Sequence, residues 1–274
     1  MRIAAKTLIW TLWAVAVSPA WPETQARGSL TVSVAAPAYW CPYACDVTGP
    51  RSGFTVDIAR AALESEGYKV VYENLPYDRA LFEAKRGRVD AIVPAFRAEA
   101  PSFIFPSYAV SLTEYCFYVP QNEPHRYHGL ASLENMRFVA TSGYSYGAEM
   151  DAYISDNQGK RVTLIGGGDV SNRLRELVRR ERFDALLDDR LLFESSQNRE
   201  GLLNAGCLDE RHAGYLALSP EDPDRSSAIA QAFERGFKKL QENGQLCRIL
   251  ENYGLGSDAV PGLGGEYCPP THRR

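Results

Sequence analysis

The sequence predicts an α/β fold made of two lobes of similar build that meet at a hinge, with sheets that are mixed but mainly parallel. Three observations predict it. In the first half of the chain, apolar strand patterns alternate with amphipathic helical patterns at the spacing of crossover units. The run Pro120-Gln121-Asn122-Glu123-Pro124 then breaks the pattern and is the candidate hinge. A second alternation follows in the same order without obvious sequence identity to the first, so two lobes are expected.

Taken in order, Leu30-Thr31-Val32-Ser33-Val34 has the alternation of a first strand. Trp40-Cys41-Pro42-Tyr43 forms an aromatic turn, and Ile58, Ala61, Ala62 and Ser65 recur at helical spacing. Lys69 to Glu73 reads as a strand, Tyr77 to Arg86 as a helix stopped by Gly87, and Val89 to Val93 as a short buried strand. Tyr115 to Val119 completes this round. The second round runs through a strand at Arg137 to Ala140, a helix from about Tyr146 to Ser155 and a strand at Val162 to Ile165. A helix from Ser171 to Arg180 and a strand from Asp184 to Leu187 follow. Gly214 to Leu218 is the return strand, and Asp224 to Tyr253 reads as two helices interrupted by Gly244. The Gly- and Pro-rich tail after Gly254 predicts little regular structure.

Residues 1–20 carry Arg2 and Lys6, an apolar run from Leu8 to Val17 and a small-residue end, Ser18-Pro19-Ala20, the pattern of a cleaved signal peptide. The apolar run is about half the ~20 residues that span a bilayer. With no cysteine at the cleavage point, a free periplasmic product is expected rather than a lipid-anchored one. The formal net charge of −4 becomes −6 once Arg2 and Lys6 leave, and no basic face suggests nucleic acid. All six cysteines lie in the exported part, so disulfides are expected. A local Cys41–Cys45 bridge pinning Tyr43 is the first expectation, and the pairing of Cys116, Cys207, Cys247 and Cys268 stays open. Cys-x3-Cys lacks a matching Cys/His pair downstream, so neither a metal nor a cofactor is expected.

The leader, the opening Trp40-Cys41-Pro42-Tyr43 to Gly53-Phe54-Thr55-Val56-Asp57-Ile58, the stretch Gly87-Arg88-Val89-Asp90-Ala91 and the closing segment Phe233 to Gly254 together resemble one family. It is the bacterial extracellular solute-binding proteins of family 3, the substrate-binding proteins of polar amino-acid ABC transporters. The resemblance covers Leu30 to Gly254 and is looser in the middle. It implies a type II periplasmic binding fold, with 28–119 and 214–256 forming one lobe, 120–213 the other and 257–274 a tail.

The ligand of such a protein sits between the lobes, and open α/β sheets place pockets at the carboxyl ends of strands. That rule nominates Trp40 and Tyr43 after the first strand, Tyr77 after the second, and Phe96 and Arg97 after Val93; the aromatics could equally be core. Relatives that bind α-amino acids carry Thr-x-x-Arg in this last loop, the Arg holding the carboxylate in a two-pronged pair. Here those positions read Ala98 and Pro101. Either Arg97 supplies the charge from a shifted position, or the ligand lacks a free carboxylate, or Arg97 is a surface residue. In the second lobe the turn Thr141 to Gly147 places Tyr144 and Ser145 where relatives bind a carboxylate, although Ser145 could instead cap the helix. Asp189, favoured over Asp188 by register, matches the acid that receives a ligand ammonium; both could also cap a helix from Arg190. Gly166-Gly167-Gly168-Asp169 lacks the Lys-Ser/Thr of a phosphate loop and reads as a turn.

These residues imply a monomeric, non-enzymatic binder of an amino acid or similar zwitterion that partners an ABC permease or, as an orphan, a membrane sensor. A dehydratase-like enzyme on the same scaffold is the rival. No Ser-His-acid or Cys-His constellation supports it, because His125, His128, His212 and His272 fall in polar segments.

Overall fold

The computed structural model describes residues 30–167, 169–263 and Cys268. The leader, Gly168 and most of the far tail, all of which carry sequence expectations, lie outside the described residues.

The first half contains β1 (Leu30–Ala36), the short hairpin β2 (Tyr39–Trp40) and β3 (Ala44–Cys45), α1 (Phe54–Glu64), β4 (Tyr68–Asn74), α2 (Tyr77–Lys85) and β5 (Ala91–Ala95). The second contains β6 (Ser111–Pro120), β7 (Phe138–Thr141), α3 (Ala148–Asn157), β8 (Val162–Ile165), α4 (Val170–Arg179), β9 (Ala185–Asp189) and α5 (Arg190–Ser195). The long strand β10 (Leu202–Leu218) returns the chain to the first half, where α6 (Pro223–Glu242) and α7 (Gln245–Asn252) pack. One eight-stranded sheet in the order β4-β1-β5-β10-β6-β9-β7-β8 links both halves.

Each outer part of this sheet is parallel, β1 with β4 and β5, β7 with β8 and β9. The centre is antiparallel, because β10 pairs with both β5 and β6, and β6 with β9. A two-lobe α/β architecture with mixed pairing is therefore what the chain builds.

Burial follows the apolar pattern. The α1 face of Phe54, Val56, Ile58, Ala59, Ala62 and Leu63 is buried, and Phe233, Phe237 and Leu240 of α6 belong to the same core. The two helices approach so closely at Gly236 that a Cβ there would sit 2.0 Å from the Ala62 carbonyl oxygen, so no side chain fits. A separate cluster fills the second half around Phe117, Phe138, Tyr146 and Met150. Disulfides join Cys41 to Cys45, Cys116 to Cys207 and Cys247 to Cys268. The first bridge is the expected one, and the others resolve the pairing the sequence left open.

Two expectations change. Pro120–Pro124 is not where the halves join: β6 already pairs with β9 through Tyr115 to Tyr118, and Gln121 N–H bonds the Gly201 carbonyl at the far end of the second half. The passage between halves runs instead through the start of β6 and the stretch of β10 paired with it at Arg211 to Gly214. The return strand begins at Leu202, not Gly214, and its polar run Asp209-Glu210-Arg211-His212 hid it. Register shifts after Asn204 and after Cys207 break the period-2 pattern there. The described tail holds little regular structure, as expected, a single 3-10 turn at Ser257–Ala259, although Val260, Leu263 and Cys268 are buried in the first-half core.

Candidate functional site

The carboxyl ends of strands from both halves converge on one cleft, as open sheets require. Its first-half wall starts from the β2–β3 hairpin. Cys41–Cys45 staples this turn, and Trp40 is consequently held inward, 4% exposed. Four rings surround it: Tyr77 stacks with centroids 6.0 Å apart, Tyr43 lies tilted at 5.7 Å, and Phe96 and Tyr144 meet it edge-on at 6.0 and 5.7 Å. Tyr144 comes from the second half, so the cluster spans the cleft.

Polar contacts cross at two further points. The Tyr43 hydroxyl donates to Asp189 Oδ2 at 3.0 Å. Glu99, in the loop after β5, accepts from the Tyr77 hydroxyl at 2.5 Å and from the Ser145 N–H at 3.4 Å. Burial pushes the Glu99 carboxyl above the usual carboxylate range, the Tyr77 hydrogen bond opposing it.

The second-half wall carries buried charge. Asp188 pairs with Arg175 Nη2 at 3.2 Å, both side chains almost wholly enclosed, and accepts from the Asp189 N–H at 3.0 Å. Arg175 Nη1 also donates to the Ser196 hydroxyl at 2.7 Å. Desolvation raises the Asp188 carboxyl and the Arg175 charge works against that rise. Asp189 lacks such a partner. Burial, reinforced by neighbouring Asp188, pushes it up to about 7.

Asp189 accepts from the Leu192 N–H at 2.7 Å and so caps α5, the helix-capping alternative of the sequence. Ser145 does not cap α3. That helix begins two residues later than expected, behind Gly147, and Asp151 holds the turn, accepting from the Ser145 hydroxyl and the Tyr146 N–H at 2.7 Å each.

A cavity of about 290 Å³ opens beside the aromatic cluster, lined by Tyr39, Pro76, Tyr77 and Asp78 of the first half. Thr141, Ser142, Gly143, Tyr144, Gly166, Gly167 and Val170 line it from the second. Of the expected residues, Tyr77 and Tyr144 line this cavity, while Trp40 stands behind both. Tyr43, Phe96, Ser145 and Asp189 surround the cluster through the contacts above. Arg97 stands apart: its guanidinium lies 4.8 Å from the Phe105 ring and 4.4 Å from the Tyr215 ring and donates to the Pro106 carbonyl at 3.0 Å. Its planar charge finds two ring faces within reach, which is why the shifted-arginine expectation does not match its position.

Sequence reasoning passed over Tyr39, Asp78, Glu99 and Arg175. Tyr39 and Asp78 adjoin residues already nominated, and Glu99 sits in the same strand-end loop as Arg97, so the strand-end rule reaches all three. Arg175 lies mid-helix and gave no signal.

The family model for "Bacterial extracellular solute-binding proteins, family 3" matches residues 30–256. The arginine-binding extracellular protein ArtP of Bacillus subtilis (strain 168) is 20% identical over 214 residues, 74% of this chain and 78% of that one. A putative L-cystine ABC transporter from Listeria monocytogenes superposes with a TM-score of 0.67 at 18% identity, covering 84% of this chain and 98% of that one. A histidine kinase sensor domain with similarity to periplasmic binding proteins gives a TM-score of 0.67 at 16% identity, covering 81% and 95%. At these identities the structural likeness carries the fold.

Proposed function

The chain belongs to the bacterial extracellular solute-binding proteins, family 3, and from that premise we propose that it captures a small polar solute of the amino-acid kind in the periplasm. The solute is released unchanged to an ABC permease. The observation that carries this reading is the ring cluster on Trp40, to which the first half contributes Tyr43, Tyr77 and Phe96 and the second Tyr144. Rings drawn from both halves exclude water only when the halves are together, so opening and closing at the strands between them gates access to the adjoining cavity. Trp40, Tyr43, Tyr77, Phe96, Tyr144, Ser145 and Asp189 form the proposed site.

Three further observations support it. The cavity of about 290 Å³ is near the small end of ligand-site volumes, which suits a metabolite rather than a peptide. All six cysteines are paired, as an oxidising compartment outside the cytoplasm favours. The named binding partner of the curated relative is an amino acid.

The test is a thermal-shift screen of the mature chain against amino acids, amines and small organic acids, with small-angle scattering of any hit. A ligand that raises Tm, compacts the protein and keeps its mass after overnight incubation is the expected result. Turnover of the hit would transfer the protein to the enzymes, and indifference to the whole library would end the reading. Uptake of the hit by cells, lost when the gene is deleted, checks delivery; unchanged uptake with altered signalling would assign the protein to a sensor instead.

A further inference from the structure

We infer that the solute is an organic cation without a free carboxylate, an amine or guanidine held between the phenol rings of the cavity and the carboxylates of Asp78 and Glu99. The inference rests on the solute-binding reading above and narrows its ligand to the amine or guanidine without the amino-acid carboxylate.

Among the described residues, the cavity lining holds a single charged side chain, Asp78. Directly behind the lining, Tyr77 is hydrogen-bonded to a second acid, Glu99, at 2.5 Å. No arginine side chain lines the cavity among the described residues. Arg97 is stacked between Phe105 and Tyr215, and Arg175 is paired with Asp188. Arg173 bonds the Gly166 carbonyl at 2.8 Å without lining the cavity. A carboxylate here would meet no positive side chain in the lining, with Arg173 already committed to the Gly166 carbonyl, whereas a cation would meet Asp78 in the lining and Glu99 behind Tyr77.

The turn between β7 and α3 tells the same way. Its Ser145 N–H faces Glu99 Oε1 and its Tyr146 N–H bonds Asp151 Oδ1, so two amides that could receive an anion already face the protein's own carboxylates. Glu99 thereby reaches from the first half to the second at the place where an incoming carboxylate would need to displace it. Tyr39, Tyr77 and Tyr144 add aromatic rings to this lining, and the attraction of an ammonium or guanidinium to a ring grows as water is excluded.

Isothermal titration of the full mature chain with matched probes tests this: lysine, lysine methyl ester and cadaverine in one series, arginine, arginine methyl ester and agmatine in another. The carboxylate-free or masked members should bind at least tenfold more tightly than the parent amino acids. Glu99→Gln should weaken cadaverine or agmatine at least tenfold while the unliganded Tm moves little. Asp78→Asn, on an exposed residue, should weaken them at least threefold. A parent amino acid binding as tightly as its amine, or amine affinities unmoved by both variants, would overturn the inference and leave the solute-binding reading standing. Silence from both series and from the wider library would overturn both.

Discussion

Arg97 in the first half of the molecule and Arg175 in the second both stand one short segment from the cleft, and their surroundings differ completely. Arg97 is exposed, laid across two rings with one carbonyl bond. Arg175 is enclosed, paired with Asp188 and bonded to Ser196. The same division holds for the two walls. The first half offers aromatic surface, Trp40 with Tyr43, Tyr77 and Phe96, whereas the second offers buried carboxylates and the arginine that compensates one of them. Most of the aromatic area thus lies on the first wall and the buried Asp188–Arg175 pair with Asp189 on the second, while Asp78 and Glu99 are the acids of the first.

The largest effect should come from breaking the charged wall. Arg175→Ala leaves Asp188 buried without its partner, which costs about 3–5 kcal/mol for pairs of this kind. Chemical denaturation of the unliganded protein at pH 8 should register that loss. The deficit should shrink in acid, where Asp188 can take up a proton. Replacing both partners, Arg175→Met with Asp188→Leu, should recover most of the stability, since the buried charge leaves with its partner. A loss below about 1 kcal/mol for the single variant would mean that water screens the pair as it does at a surface, and the contrast between the walls would fail.

Asp189 sharpens the comparison through pH. Its carboxyl binds a proton more readily in the folded chain, about 7 against an ordinary 3.8, so between those values the native state holds a proton that the unfolded chain has released. Stability contributed by this group is greatest below about pH 4, falls as pH rises toward 7 and is level above. At about 1.4 kcal/mol per pKa unit, the fall is bounded at about 4 kcal/mol. Asp189→Asn can keep its oxygen for the Leu192 N–H while its amide NH2 faces the Tyr43 hydroxyl, which then accepts, and it cannot ionise. Its stability should therefore lose that part of the decline, with the slopes from Asp188 and Glu99 remaining. Identical pH profiles for the two proteins would place Asp189 in a wetter setting than its burial implies.

The two walls were not equally legible in the sequence. Trp40, Tyr43 and Tyr77 followed from the rule that ligands gather after strand ends, because aromatic residues beside Pro42 and Cys41 leave few ways to be placed. The alternation of strands and helices gave most elements within a few residues, since buried faces impose their period on the chain. Charge partners carry no such period. Nothing local marks that Arg175, mid-helix in α4, reaches Asp188 at the end of β9, or that Glu99 turns toward Ser145 while Arg97, two residues earlier, turns away. The hinge misled for a related reason: prolines at 120 and 124 mark where a strand ends, but only pairing decides which half owns the strand.

The smallest effect should be that of Arg97→Ala. An exposed cation over an aromatic face contributes about 0.5–1 kcal/mol, and one further bond to the Pro106 carbonyl is lost, so a loss of about 1 kcal/mol in unfolding free energy is expected. Ligand affinity should stay within about twofold, because a guanidinium committed to Phe105, Tyr215 and Pro106 would have to abandon all three to reach a solute in the cavity. Titration of the variant with whichever probe the wild type prefers decides the matter. Lost binding with unchanged stability would show that Arg97 swings into the cleft once a carboxylate arrives. In that case the first wall would present positive charge to the ligand, and the acidic lining set by Asp78 would describe only the protein without its ligand.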